Sequence, residues 1–179
     1  MRPNSGDYDP YFERYIKLIE GDDIIKILYE QNKKTRELIN SISDYKGNYR
    51  YADGKWTIKE VIGHILDAER ILAYRALRLA RGEKKSLPGY DHEDYVREGN
   101  FNSRDLLELS FEFKWLRESN LLLFKSFSEE MLCKRGLADE ASVTVLSLLY
   151  IIAGHEKHHL NVLVEKYLKP WAKLFYLSR

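Results

Sequence analysis

Three of the five histidines of this chain fall in one run, Gly154-His155-Glu156-Lys157-His158-His159. Residues of these types can hold a metal in two ways. As a string of letters the run is H-E-x-x-H, the pattern of a zinc-peptidase helix whose glutamate is the general base. As helix geometry it puts His155 and His159 one turn apart on one face, with His158 rotated to the side. Two imidazoles at that spacing are an incomplete site. A third, from His64, leaves one coordination position open, the catalytic rather than the structural arrangement.

The literal reading fails further along the chain. It needs a third ligand downstream, and its extended form wants glycine at position 162 and histidine at position 165. The chain has Val162 and Glu165, and no histidine comes after His159. A di-iron carboxylate site fails on spacing: Glu156 and His159 form one E-x-x-H pair, but Glu60 and His64 stand four apart and that site needs two such pairs.

The elements that position these residues read as helices. A short amphipathic piece covers residues 11–19 and a helix residues 22–42. Thr57-Ile58-Lys59-Glu60 is a capping box with Trp56 and Val61 placed as a hydrophobic staple, so the second helix starts there and runs to Ala80, ended by Gly82. Residues 86–102 form a long connection with one helical turn near residues 91–96. The third helix begins at Asn102 or Ser103 and runs to Phe127. A loop crosses Gly136, and the last helix spans residues 142–168, stopping before Pro170. No segment alternates as a strand. Four long helices and a short N-terminal one predict an all-α four-helix bundle, a single domain over residues 1–179. The long connection between helices two and three frees it from strict up-down order.

On the last helix Leu148, Ile151, Ile152, His155, His159, Val162 and Leu163 make one buried stripe. On the second, Val61, His64, Ile65, Ala68 and Ile71 or Leu72 make another. A lone histidine on such a face is usually a satisfied core residue. A buried pair of imidazoles is costly without partners, and if the two stripes meet, His64, His155 and His159 converge.

Composition narrows the function. The net charge of +1 gives no case for nucleic acid or an anionic membrane. No apolar run approaches the ~20 residues of a membrane span. The first residues carry no apolar core of a signal peptide, and the single cysteine, Cys133, excludes an internal disulfide. A cytoplasmic protein is expected, with Cys133 as a partly buried apolar residue.

Two stretches then carry a resemblance: Trp56-Thr57-Ile58-Lys59-Glu60-Val61-Ile62-Gly63-His64-Ile65-Leu66-Asp67-Ala68-Glu69-Arg70 and Ile152-Ala153-Gly154-His155-Glu156-Lys157-His158-His159-Leu160, with Leu87-Pro88-Gly89-Tyr90-Asp91 between them. In order and spacing they resemble the DinB superfamily of DinB-like and YfiT-like helical proteins. The resemblance implies a four-helix bundle, often a homodimer, with one divalent metal on His64, His155 and His159, zinc or nickel first and iron or manganese after them. Known activities in that superfamily include thiol S-transfer and mycothiol-dependent isomerisation, so a small-molecule substrate, such as a low-molecular-weight thiol, is implied. Two reactions stay open, thiol transfer to an electrophile and metal-assisted hydrolysis. A non-enzymatic metal-binding or partner-binding module is the alternative. No catalytic side chain is assigned.

Other residues receive bland readings. Asp67 and Glu69 either support a ligand or form ion pairs, Glu69 with Arg70 or Arg75. His92 is an exposed loop residue and Trp56 a packing residue. Arg75, Arg78, Arg81, Lys84 and Lys85 either hold an anionic substrate or line the solvated end of a helix. Several of the thirteen tyrosines are expected at a pocket mouth.

Overall fold

The structure is a computed structural model that describes residues 1–169. Its frame is four long helices, α2 (Ile24–Ser41), α3 (Ile58–Ala80), α5 (Leu106–Lys125) and α7 (Val145–Val162), with short helix α1 (Glu13–Ile16) before them and α4 (His92–Glu98) and α6 (Glu129–Cys133) between them. α3 starts where its capping box requires. Thr57 Oγ1 accepts from the Glu60 amide at 3.0 Å, and the Glu60 carboxylate accepts from the Thr57 amide at 2.7 Å. α7 is capped in the same way by Thr144 and Ser147. Beyond Val162 the last helix widens into π-helical winding over Leu163–Leu168. Pro170 lies outside the described residues.

The direction of each helix is set by which ends meet. Ile58, Val61, Ile62 and Ile65 of α3 share a core with Ile39 of α2, Leu106, Leu109 and Phe113 of α5, and Leu163 and Tyr167. The other end of α3, Leu72 to Ala80, packs with Ile24 and Leu28, with Leu121 and Phe124, and with Val145 to Ala153. α3 and α5 are therefore parallel to each other and antiparallel to α2 and α7. Around the bundle the order is α2, α5, α3, α7, with α2 diagonal to α3 and α5 diagonal to α7. The two parallel neighbours α3 and α5 explain the long connection between them: the chain must travel back along the bundle before α5 can begin.

Two expectations are corrected. The third helix starts at Leu106, later than Asn102 or Ser103, because residues 101–103 form a separate 3₁₀ turn. The region around Gly136 is not a plain loop and the last helix does not start at 142. Strands β1 (Arg135–Ala138) and β2 (Ala141–Thr144) form a hairpin whose end pair is Ala138 and Ala141. Its two turn residues, Asp139 and Glu140, both have left-handed backbone, φ 56° and 60°, which a tight primed turn demands and which asparagine or glycine usually supplies. The missing Asn-Gly signal is why sequence reading passes over it. Cys133, expected to be partly buried, is exposed.

Candidate metal centre

The antiparallel contact of α3 and α7 brings the three histidines together. His64 Nε2 lies 3.0 Å from His155 Nε2, and His159 Nε2 lies 3.1 Å from the same atom. A ligand nitrogen from each of the three lies within 4.8 Å of the other two. His158 points away, its ring edge-on to Tyr15. His64 and His155 are each preceded by a glycine. A side chain on Gly63 would strike the ring of Phe101, and one on Gly154 would lie 2.2 Å from the Tyr15 carbonyl oxygen. The missing β-carbons let neighbouring segments close onto the helices beside the histidines.

The electrostatics favour neutral rings. Burial holds His64 at about 4, with His92 adding to the effect. Burial, then the charges that His64 and His158 would carry, holds His159 at about 3. His155 is lowered well below the ordinary value by burial and by His159 and His64. Three neutral nitrogens aimed at one another cannot all be satisfied by hydrogen bonds, because each neutral ring has one N–H to give. The two separations from His155 are near the roughly 3.3 Å between nitrogens of a tetrahedral zinc site with ligands at about 2.0–2.1 Å. One cation would satisfy all three lone pairs, so the residues present fit a divalent ion.

Glu156, next in sequence to His155, looks the other way. Its carboxylate accepts from Thr35 of α2 and, at 2.7 Å, from Arg117 of α5. Arg117 is fully buried and also meets Glu69 of α3 at 2.7 and 2.8 Å and the Leu28 carbonyl at 3.1 Å. Asn120 adds a bond to Glu69 at 3.1 Å. All four long helices thus meet in one buried network. Burial raises the Glu156 pKa against the opposing pull of Arg117. Burial alone would lower Arg117, but Glu156 and Glu69 outweigh it and hold the guanidinium charged. This corrects the sequence reading of Glu69: its partner is Arg117, not Arg70 or Arg75. Asp67 is the residue that meets Arg70, at 3.5 Å.

The histidines open into a cavity of about 570 Å³. Trp56 lines it, 4.8 Å ring to ring from His64 and stacked near His159, so it is a pocket residue rather than only a packing one. His92 is exposed, as expected, yet its ring stands 5.8 Å from that of His64 at the same cavity. Tyr11, Tyr15 and Tyr90 line it too. Of the basic group, Arg78 stays at the surface with Glu83, while Arg75 is buried and lines the cavity. A signal for Arg75 was present: it continues the His64, Ala68, Leu72 stripe by one further turn. Among the described residues no helix is long and apolar enough to cross a membrane.

Comparison with known proteins places this architecture. A protein of Oceanobacillus iheyensis named "putative metal-dependent hydrolase" is 26% identical over 141 residues, 76% of this chain and 79% of its own length. A protein of the same name from Geobacillus thermodenitrificans is 23% identical over 128 residues, 69% and 71% of the two chains. YfiT from Bacillus subtilis, described as a probable metal-dependent hydrolase with an unusual four-helix bundle topology, superposes with a TM-score of 0.73 at 18% identity, covering 90% of this chain and 92% of its own. A mycothiol-dependent maleylpyruvate isomerase superposes with a TM-score of 0.65 at 10% identity, covering 81% of this chain and 61% of its own. The sequence profile of the DinB superfamily matches residues 27–163, and this chain belongs to that superfamily.

Proposed function

We propose that this chain is a metal-dependent enzyme acting on a small molecule, with His64, His155 and His159 as the ligands of one divalent ion, zinc or nickel. The observation that carries this reading is the convergence of three neutral Nε2 atoms on the wall of a cavity large enough for a substrate. Among the described residues the cluster contains these three side chains and no fourth, which is the composition of an open site rather than of a closed structural one. Such an ion supplies a Lewis acid that makes water or a thiol a nucleophile near neutral pH. Trp56 shields one side of the centre, and His92 stands where protons can pass between it and solvent.

Hydrolysis is the leading reading, supported by the names its curated relatives carry. Thiol transfer is the second, favoured by one observation. Asp9, Asp139 and Glu140 line the cavity, but no hydrogen bond joins any of them to the three histidines. A thiol ionised at a metal needs no carboxylate base beside it.

The test is metal analysis of protein purified without a histidine tag. About one divalent ion per chain is expected, and His64→Ala or His159→Ala should lose it; full stoichiometry in either variant would overturn the ligand set. Metal-loaded protein offered ester substrates, and separately an electrophile with cellular thiols, distinguishes the two reactions.

We further propose a homodimer built on α5. Leu107, Phe111, Trp115 and Leu122 are large, apolar and exposed along that helix, with Phe111 stacked on Trp115. Charges of both signs flank them, Arg104 and Lys114 beside Glu108 and Glu118. A two-fold contact with a second copy can therefore pair the stripe with itself and each sign with its opposite.

A further inference from the structure

A buried arginine normally ends on carboxylates, as Arg117 does in this molecule. Arg75 is the exception. It is 6% exposed, yet among the described residues its one hydrogen bond goes to the Pro88 carbonyl, at 2.7 Å. Among the described residues no carboxylate lies within ion-pairing distance of it; Asp139 and Tyr90 act on it only at longer range. Burying a charge without a counter-ion is costly, and this one faces the cavity that holds the histidines.

We infer that Arg75 is the anion-binding residue of this pocket and that the substrate carries a carboxylate there. The inference rests on the cavity being the substrate site. A guanidinium fork matches a carboxylate edge to edge, and most of Arg75's five donors are uncommitted. The line of the helix gives the rest of the ligand. His64, Ala68, Leu72 and Arg75 all line the cavity and keep the spacing of one helix face. Arg75 lies eleven residues beyond His64, roughly 16 Å along the axis; both side chains lean toward the N-terminus, and the longer arginine reaches further back, which shortens the span. Between the two ends the wall is apolar, from Ala68, Leu72 and Ile151. The substrate is thus elongated, with a carboxylate at one end, an apolar middle, and its reacting group at the histidines. Asp9, Asp139 and Glu140 on the same cavity disfavour more highly charged anions. Arg14 also lines it, but lies against the rings of Tyr11 and Tyr15 and is exposed.

The test compares 6-mercaptohexanoate with 6-mercaptohexanol, equal in length and differing in charge. In cobalt-loaded protein, thiol binding is read from the thiolate-to-cobalt absorption band. The acid should bind about tenfold more tightly than the alcohol, with the preference lost in Arg75→Gln, partly kept in Arg75→Lys and fully kept in Arg14→Gln. Metal-free protein gives an independent arm: hexanoate should raise Tm, hexanol should not, and Arg75→Gln should abolish the difference. If cobalt does not bind, the metal reading falls while this arm still decides the carboxylate site. Equal affinity for acid and alcohol in the wild type, or a preference that survives in Arg75→Gln, overturns the inference. If Arg75→Gln does not fold, the wild-type comparison and Arg75→Lys carry the decision, and equal affinity in both again overturns it. Tighter binding of the matching phosphonate than of the acid would also overturn the assignment to a carboxylate.

Discussion

A histidine whose pKa is depressed by burial records how much the fold disfavours its charge, and that record has a sign. His64 sits at about 4 and His159 at about 3, against 6.5 for the free side chain. The unfolded chain therefore binds protons that the folded chain refuses. The stabilisation is fully present above pH 6.5 and is lost as the pH falls from there toward 4, by about 1.4 kcal/mol per histidine per pH unit. Metal-free protein should show its denaturation midpoint falling steeply between pH 6.5 and 4.5, and the variant His64→Gln should show a shallower fall. A midpoint flat across that window would mean the rings titrate normally. The same scale shows what the sequence could and could not disclose. His155 and His159 were legible because a helix fixes what residues four apart share, and His64 because its neighbours on the stripe are apolar. Arg117 was not legible. Its importance depends on Glu69 and Glu156 arriving from two other helices, and no local spacing encodes that meeting. The polar Asn32 and Thr35 on the buried face of α2 were the nearest available hint.

Between elements, close approach is set by what is missing. Tyr15 of α1 lies against α7 at Gly154, and Phe101 lies against α3 at Gly63. Each contact closes one wall beside the histidines. A methyl group at position 154 would meet backbone, which cannot rotate away as a side chain can. Gly154→Ala should thus cost about 1–3 kcal/mol through forced displacement of α1, read as a lower Tm and as weaker protection of the amides of residues 13–16 from hydrogen exchange. Unchanged stability would show that α1 yields freely and that its position is not fixed by this contact. The long helices were readable because capping residues and apolar period agree, as at Thr57 and Glu60. The hairpin was not, because its strands are four residues each and its turn lacks the residues that ordinarily announce one.

For the molecule as a whole, the parallel pairing of α3 with α5 is what departs from a simple bundle. The length of the connection after α3 signalled that strict alternation is not needed, but helix order around the axis depends on contacts remote in sequence. α5 also carries the surface on which assembly is proposed. Trp115 is 62% exposed, so Trp115→Glu should leave the fold and metal content intact while converting the species seen by sedimentation from two chains to one. A wild-type protein that sediments as a single chain at high concentration would remove the dimer.

The meeting of His64 with His155 across 91 residues of chain has one more consequence. The three nitrogens share a point only where α3 and α7 pack antiparallel, and the segment between these helices includes α4, α5, α6 and the hairpin. Closing a loop of that length carries an entropic cost, so the complete ion-binding geometry belongs to the assembled bundle and to neither helix alone. An ion that binds only the assembled triad then draws the equilibrium toward the native state by mass action. The rate at which a refolding population takes up metal should therefore report the meeting of α3 with α7, a step that stopped-flow metal uptake would read directly.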